Sequence, residues 1–115
     1  MAQPFSQLEP ALRHLHTRFR EAITTAELAA LCHLSERQFT RVFRRLLGES
    51  PMRYLIRQRL HAARHDLIAS DRPAGAIALD LGFYDQSAFT RAFRAEAGVT
   101  PAAYRQRHLQ ELEGK

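Results

Sequence analysis

Apolar residues recur along this chain at steps of three and four, the period that lines one face of a helix, and no stretch alternates as a half-buried strand would. The clearest stripe is Phe39, Val42, Phe43, Leu46 and Leu47. Arg37, Arg41, Arg44 and Arg45 fall off that stripe, so the segment has one apolar and one cationic face. Ser35 stands at an N-cap position with Gln38 three residues on, the spacing of a capping box, and Gly48 stands where a left-handed C-cap is wanted. The stretch from Ser35 to Gly48 therefore predicts a well-bounded helix.

The same pattern returns 50 positions later. Phe39 pairs with Phe89, Thr40 with Thr90, Arg41 with Arg91, Phe43 with Phe93 and Arg44 with Arg94. The pairing runs on through Gly48 and Gly98, Pro51 and Pro101, and Tyr54 and Tyr104. A single copy could be any amphipathic helix, but a fixed offset means that one supersecondary unit occurs twice.

The other stripes fill in the architecture. Leu8, Leu12, Leu15 and Phe19 predict a first helix over residues 7 to about 20. Thr24 and Glu27 have capping-box spacing and open a short helix that ends near Cys32 and His33. Only Leu34 then precedes the Ser35 cap, which leaves room for a tight corner and gives helix-turn-helix spacing. Ser50 followed by Pro51 starts a long helix to about Ala69, with Met52, Leu55, Ile56, Leu60, Ala63 and Leu67 inward. At about 1.5 Å per residue it is nearly 30 Å long. Residues 70–73 break the chain, a short helix runs from Ala74 to Leu81 and ends at Gly82, and Phe83 and Tyr84 make a second corner. Asp85 caps the second copy, and Thr100 with Pro101 opens a last helix carrying Tyr104, Leu109 and Leu112.

The expected fold is all-α and homeodomain-like: seven helices forming two helix-turn-helix subdomains joined by a long connector. Its parts are residues 21–49, a connector at 50–70, a second helix-turn-helix at 71–99 and a C-terminal helix at 100–115, within one domain spanning 1–115.

Composition sharpens the function. In 115 residues, 45% of them apolar, there is material for a core. Sixteen arginines against one lysine, Lys115, dominate a formal charge of +5, with an isoelectric point near 10.3. The planar guanidinium fork suits phosphates and guanine edges, which favours nucleic acid as the partner. Cys32 is the only cysteine, so neither an internal disulfide nor a thiolate zinc cluster can form within the chain, and a reducing cytoplasm is the expected location. No apolar run reaches the roughly 18 residues of a membrane span, and the first residues lack a signal-peptide pattern, so a soluble protein with no membrane partner is expected. His61 and His65 lie one helical turn apart, but the glutamate of a zinc-protease motif is missing and no third ligand is evident. With no phosphate-cradling glycine loop and no nucleophile-base arrangement, the expectation is no enzyme, no metal and no cofactor.

In a helix-turn-helix the second helix enters the major groove and its first turns face the base edges. The candidate readers are Arg37, Gln38, Thr40 and Arg41 in the first copy, and Gln86, Ser87, Thr90 and Arg91 in the second. Arginine on guanine and glutamine on adenine are the pairings that the groove's donors and acceptors reward, each at about 1–3 kcal/mol of discrimination. Arg44, Arg45 and Arg94, the cap residue Ser35, and Tyr84 beside the corner are placed for phosphates. Asp85 would repel a phosphate and is read as a cap alone. A connector nearly as long as the roughly 34 Å between successive major-groove faces would let a monomer address two segments of an asymmetric site. The rival readings are a protein-interaction adaptor on the same scaffold and an architectural binder without sequence preference.

The run Gly82-Phe-Tyr-Asp-Gln-Ser-Ala-Phe-Thr-Arg-Ala-Phe-Arg94, with Gly98-Val-Thr-Pro-Ala-Ala-Tyr-Arg105 after it, resembles the signature of the AraC/XylS family of bacterial transcription regulators. The resemblance covers about residues 8 to 107. It implies a seven-helix domain whose two recognition helices occupy successive major grooves of double-stranded DNA, usually at a promoter and often in contact with RNA polymerase as a second partner; an activator is the expected role, with repression left open. Carried over by motif, the base-reading positions are Arg37, Thr40, Arg41, Gln86, Ser87, Thr90 and Arg91. Most members of the family join this domain to an effector-binding or dimerisation domain, which these 115 residues do not contain.

Overall fold

The computed structural model describes residues 4–113, and for residues 4 and 5 the backbone only. Seven helices and no strand occur among the described residues: α1 (Pro4–Arg18), α2 (Thr25–Leu31), α3 (Glu36–Leu47), α4 (Pro51–Ala69), α5 (Ala74–Asp80), α6 (Gln86–Ala97) and α7 (Pro101–Glu113). Gly114 and Lys115, included in the expected C-terminal helix, lie outside the described residues. The fold divides into two compact units between Gln58 and Arg59, within α4.

Local chemistry explains the helix boundaries. The Thr24 hydroxyl accepts from Glu27 N at 3.1 Å while Thr24 N donates to the Glu27 carboxylate at 3.4 Å, a complete capping box at the start of α2. Asp85 Oδ1 takes the backbone N–H of Ala88 at 2.8 Å at the start of α6. Ser50 and Thr100 cap α4 and α7 ahead of Pro51 and Pro101, which need no N–H in the first turn. α3 and α6 both end on a left-handed glycine, Gly48 at φ 80° and Gly98 at φ 81°, whose N–H donates to the carbonyl four residues back.

α1 departs from the sequence reading. It begins at Pro4 instead of residue 7 and ends at Arg18, ahead of Phe19 and Arg20. Pro10 accordingly lies inside the helix, where it offers no N–H to the Ser6 carbonyl. The buried seam of Leu8, Ala11 and Leu15 holds the helix through it.

In the first unit that seam packs with Leu28 and Ala29 of α2, Phe39 and Phe43 of α3, and Leu55 of α4. Cys32 closes α2 as a buried residue, and burial pushes its thiol pKa up. In the second unit Leu60, Ala63 and Leu67 of α4 are buried, as are Ile77 and Ala78 of α5, Leu81 and Phe83 of the turn, and Phe89 and Phe93 of α6. The aromatic ladder is duplicated. Phe43 meets Tyr54 edge-on at 5.5 Å between ring centroids, and Phe93 meets Tyr104 likewise at 5.3 Å. Such pairs contribute about 0.5–1.5 kcal/mol beyond their burial. The phenylalanines of both repeats are thus core residues and offer no face to a base. Leu109 and Leu112, by contrast, stay exposed on α7.

The turns of the two units differ by one residue. Leu34 N donates to Ala29 O and Phe83 N to Ala78 O, both at 3.0 Å, so these closures match at an offset of 49. The caps Ser35 and Asp85 match at 50. The extra residue is Tyr84, 91% exposed.

Candidate nucleic-acid interface

Burial of Phe39 and Phe43 fixes the rotation of α3 and presents Arg37, Gln38, Arg41, Arg44 and Arg45 to solvent, with Thr40 half-buried between them. Burial of Phe89 and Phe93 does the same for α6, exposing Gln86, Ser87, Arg91 and Arg94 with Thr90 half-buried. Within each unit the candidate readers therefore share one face. On α6 four of them, Gln86, Ser87, Thr90 and Arg91, line an open hollow of about 400 Å³. Tyr84 stands just before this helix.

The faces differ in charge. α3 carries four arginines against Glu36, whereas α6 carries Arg91 and Arg94 against Glu96. A phosphate backbone is attracted more strongly by the first, through release of its condensed counterions.

Gln38 holds a second role. Its Oε1 accepts from Ser35 N at 3.2 Å and from the Ser35 hydroxyl at 3.1 Å, and its own N–H donates to Ser35 Oγ at 3.1 Å. That reciprocal box engages the oxygen that bidentate pairing with adenine requires, leaving only the amide protons for a base. The position corresponding to Gln38 in α6 is Ala88, so nothing there reaches back to Asp85.

Three features of this neighbourhood were missed in the sequence reading. Arg105 Nε donates to Leu67 O at 2.8 Å and its Nη2 to Arg72 O at 2.6 Å, tying α7 to the end of α4 and to the segment leading into α5. Arg59 is 8% exposed, with its guanidinium 5.8 Å from the centre of the Phe83 ring beneath the second turn, and burial lowers its pKa. Gly75 on α5 lies against the side chain of Gln86. The sequence placed Tyr84 beside the second corner, but nothing in local spacing marks the long-range contacts of Arg59 or Arg105. His61 and His65 are both exposed on α4, and no cluster of three or more metal-ligating side chains occurs among the described residues. No helix among them is long and apolar enough to cross a membrane.

Two short helix pairs, each placing a polar-faced second helix over a buried phenylalanine pair, define a double helix-turn-helix protein. A family model described as a helix-turn-helix domain matches residues 28–107. Among solved structures, an AraC-type transcriptional regulator from Chromobacterium violaceum superposes with a TM-score of 0.83 at 27% identity, covering 92% of this chain and 95% of that one. The DNA-binding domain of AdpA, solved in complex with a target DNA, superposes with a TM-score of 0.77 at 35% identity over 94% of each chain. Among curated relatives, the transcriptional activator RhaS of Escherichia fergusonii is 37% identical over 101 residues, 88% of this chain and 36% of RhaS. This chain belongs to the AraC family of helix-turn-helix domains. It spans 29–44% of the length of the curated relatives that it matches.

Proposed function

We propose that the chain is the DNA-binding part of a sequence-specific transcription regulator, inserting α3 and α6 into separate major-groove segments of a promoter. The observation that carries this reading is the AdpA domain, which matches at 35% identity over 94% of its length and was solved on a target DNA. The faces described above supply chemistry that fits. Arg37, Thr40, Arg41 and the amide protons of Gln38 read bases from α3, and Gln86, Ser87, Thr90 and Arg91 read them from α6. Ser35, Arg44, Arg45, Tyr84 and Arg94 contact phosphates, which set register without carrying sequence information. The parts that do this are the helix-turn-helix segments 21–49 and 71–99 with the connector 50–70. The output is activation, the role that the name of RhaS gives for that relative, and the promoter-bound chain contacts RNA polymerase in the cytoplasm. No catalytic step is assigned to the chain.

Selection of duplexes from a random pool at near-physiological salt tests the proposal. Recovery of two short sequence blocks is the expected result, and their spacing gives the distance between the two segments read. Recovery of one block would confine base reading to a single helix. Binding with no preferred sequence would favour an architectural role, and no binding would favour a protein-interaction adaptor.

A further inference from the structure

The Gln86 side chain of α6 reaches α5 at Gly75 and fills the space that a β-carbon there would need. A β-carbon at this helical glycine would lie 2.8 Å from Gln86 Oε1 and 3.6 Å from the carboxamide carbon. Gln86 opens α6, and its side chain borders both the reading hollow and an adjoining cleft of about 280 Å³ lined by Ala74, Thr90, Thr100, Pro101 and Ala102. Its carboxamide is thus seated on bare α5 backbone at the edge of the reading face.

We propose that Gly75 is a positioning residue for base recognition: the gap where its side chain would be seats the Gln86 carboxamide, fixing the direction from which α6 presents an amide to the groove. This rests on the DNA-reading function proposed above. Glutamine has three side-chain torsions to order when it binds a base, and ordering them beforehand sharpens discrimination. The close atom belongs to the tip of a flexible side chain, so a methyl group at position 75 expels the carboxamide and leaves the backbones where they are. The same methyl group improves helix propensity, because glycine is the poorer residue inside a helix. Gly75→Ala therefore separates recognition from folding.

The test compares duplex selection and thermal melting for the wild-type chain, Gly75→Ala, Gln86→Ala and the double variant. Gly75→Ala is expected to melt at or above the wild-type temperature and to lose preference at the same base pair as Gln86→Ala. The loss for the wild-type site is about 3- to 10-fold, a part of one good base contact. In the Gln86→Ala background the second substitution should change nothing further, since coupled residues are not additive. The inference is overturned if Gly75→Ala keeps the wild-type preference at every position, alters a different base pair, adds to the loss in the double variant, or melts lower. The seat is also read without DNA, by nuclear Overhauser contacts between the Gln86 side-chain amide and the Gly75 α-protons, whose absence would overturn it equally. A wild-type chain that retains no preferred sequence, with those contacts present, would instead defeat the function proposed above.

Discussion

His33 holds in the first turn the backbone conformation that Gly82 holds in the second, φ 57° against φ 93°. Each follows a short helix, and each is followed by a residue whose N–H closes back on an alanine carbonyl, Ala29 or Ala78. The left-handed region costs a residue with a β-carbon about 1–2 kcal/mol, which glycine avoids at some expense in unfolded-chain entropy. His33→Gly is therefore expected to stabilise the chain by up to about 1 kcal/mol, and Gly82→Ala to destabilise it by about 1–2 kcal/mol. Urea unfolding of the two variants measures both signs.

Arg105 bridges two backbone carbonyls, those of Leu67 and Arg72, that are not neighbours in sequence. Its planar fork reaches both at once, which a lysine ammonium cannot reproduce. Arg105→Ala should cost about 1–3 kcal/mol in unfolding free energy, with Arg105→Lys recovering little of it. A Lys variant as stable as wild type would remove the two-carbonyl account.

Tyr54 links stability to alkaline pH. Burial and then the negative charge of Glu49 raise the pKa of its phenol, while Arg57 opposes them, and its hydroxyl lies 2.6 Å from His16 Nε2. The folded state holds the phenolic proton more tightly than the unfolded chain, so this contribution is whole below the unfolded pKa of about 10 and is lost as pH rises from there through the raised folded value. Tyr54→Phe should flatten the decline in stability above about pH 10. Denaturation midpoints of both proteins at increasing alkaline pH provide the comparison.

The charge difference between α3 and α6 predicts different responses to salt. Arg44→Ala and Arg45→Ala should each weaken DNA binding on every sequence and reduce the slope of log affinity against log salt by about 1. Arg91→Ala should cost about 1–3 kcal/mol on the selected site and much less on unrelated duplexes. Anisotropy titrations across a salt series distinguish the two patterns, and equal losses for Arg91→Ala on both duplexes would take that residue out of base reading.

The turns and helix starts were legible because their chemistry is local. Thr24 with Glu27, Ser35 with Gln38, and Asp85 with Ala88 act across three residues, so their spacing alone announces them. The phenylalanine pairs were legible for a related reason: a helix of fixed period with one apolar stripe has one way to face a core. α1 was read less well, since the start of a helix containing Pro10 depends on what its Leu8, Ala11 and Leu15 seam packs against.

The sequence by itself determined the duplication, the all-helical class, the two turns and the faces on which the arginines stand, because periodicity and capping are short-range rules. Only the tertiary structure decided how individual side chains on those faces are committed. Gln38 closes a cap with an oxygen that was also a candidate for adenine, Gln86 rests on a glycine eleven residues earlier in the chain, and Arg105 fastens carbonyls more than thirty residues away. These commitments depend on where other helices lie in space, and a linear pattern carries no record of that.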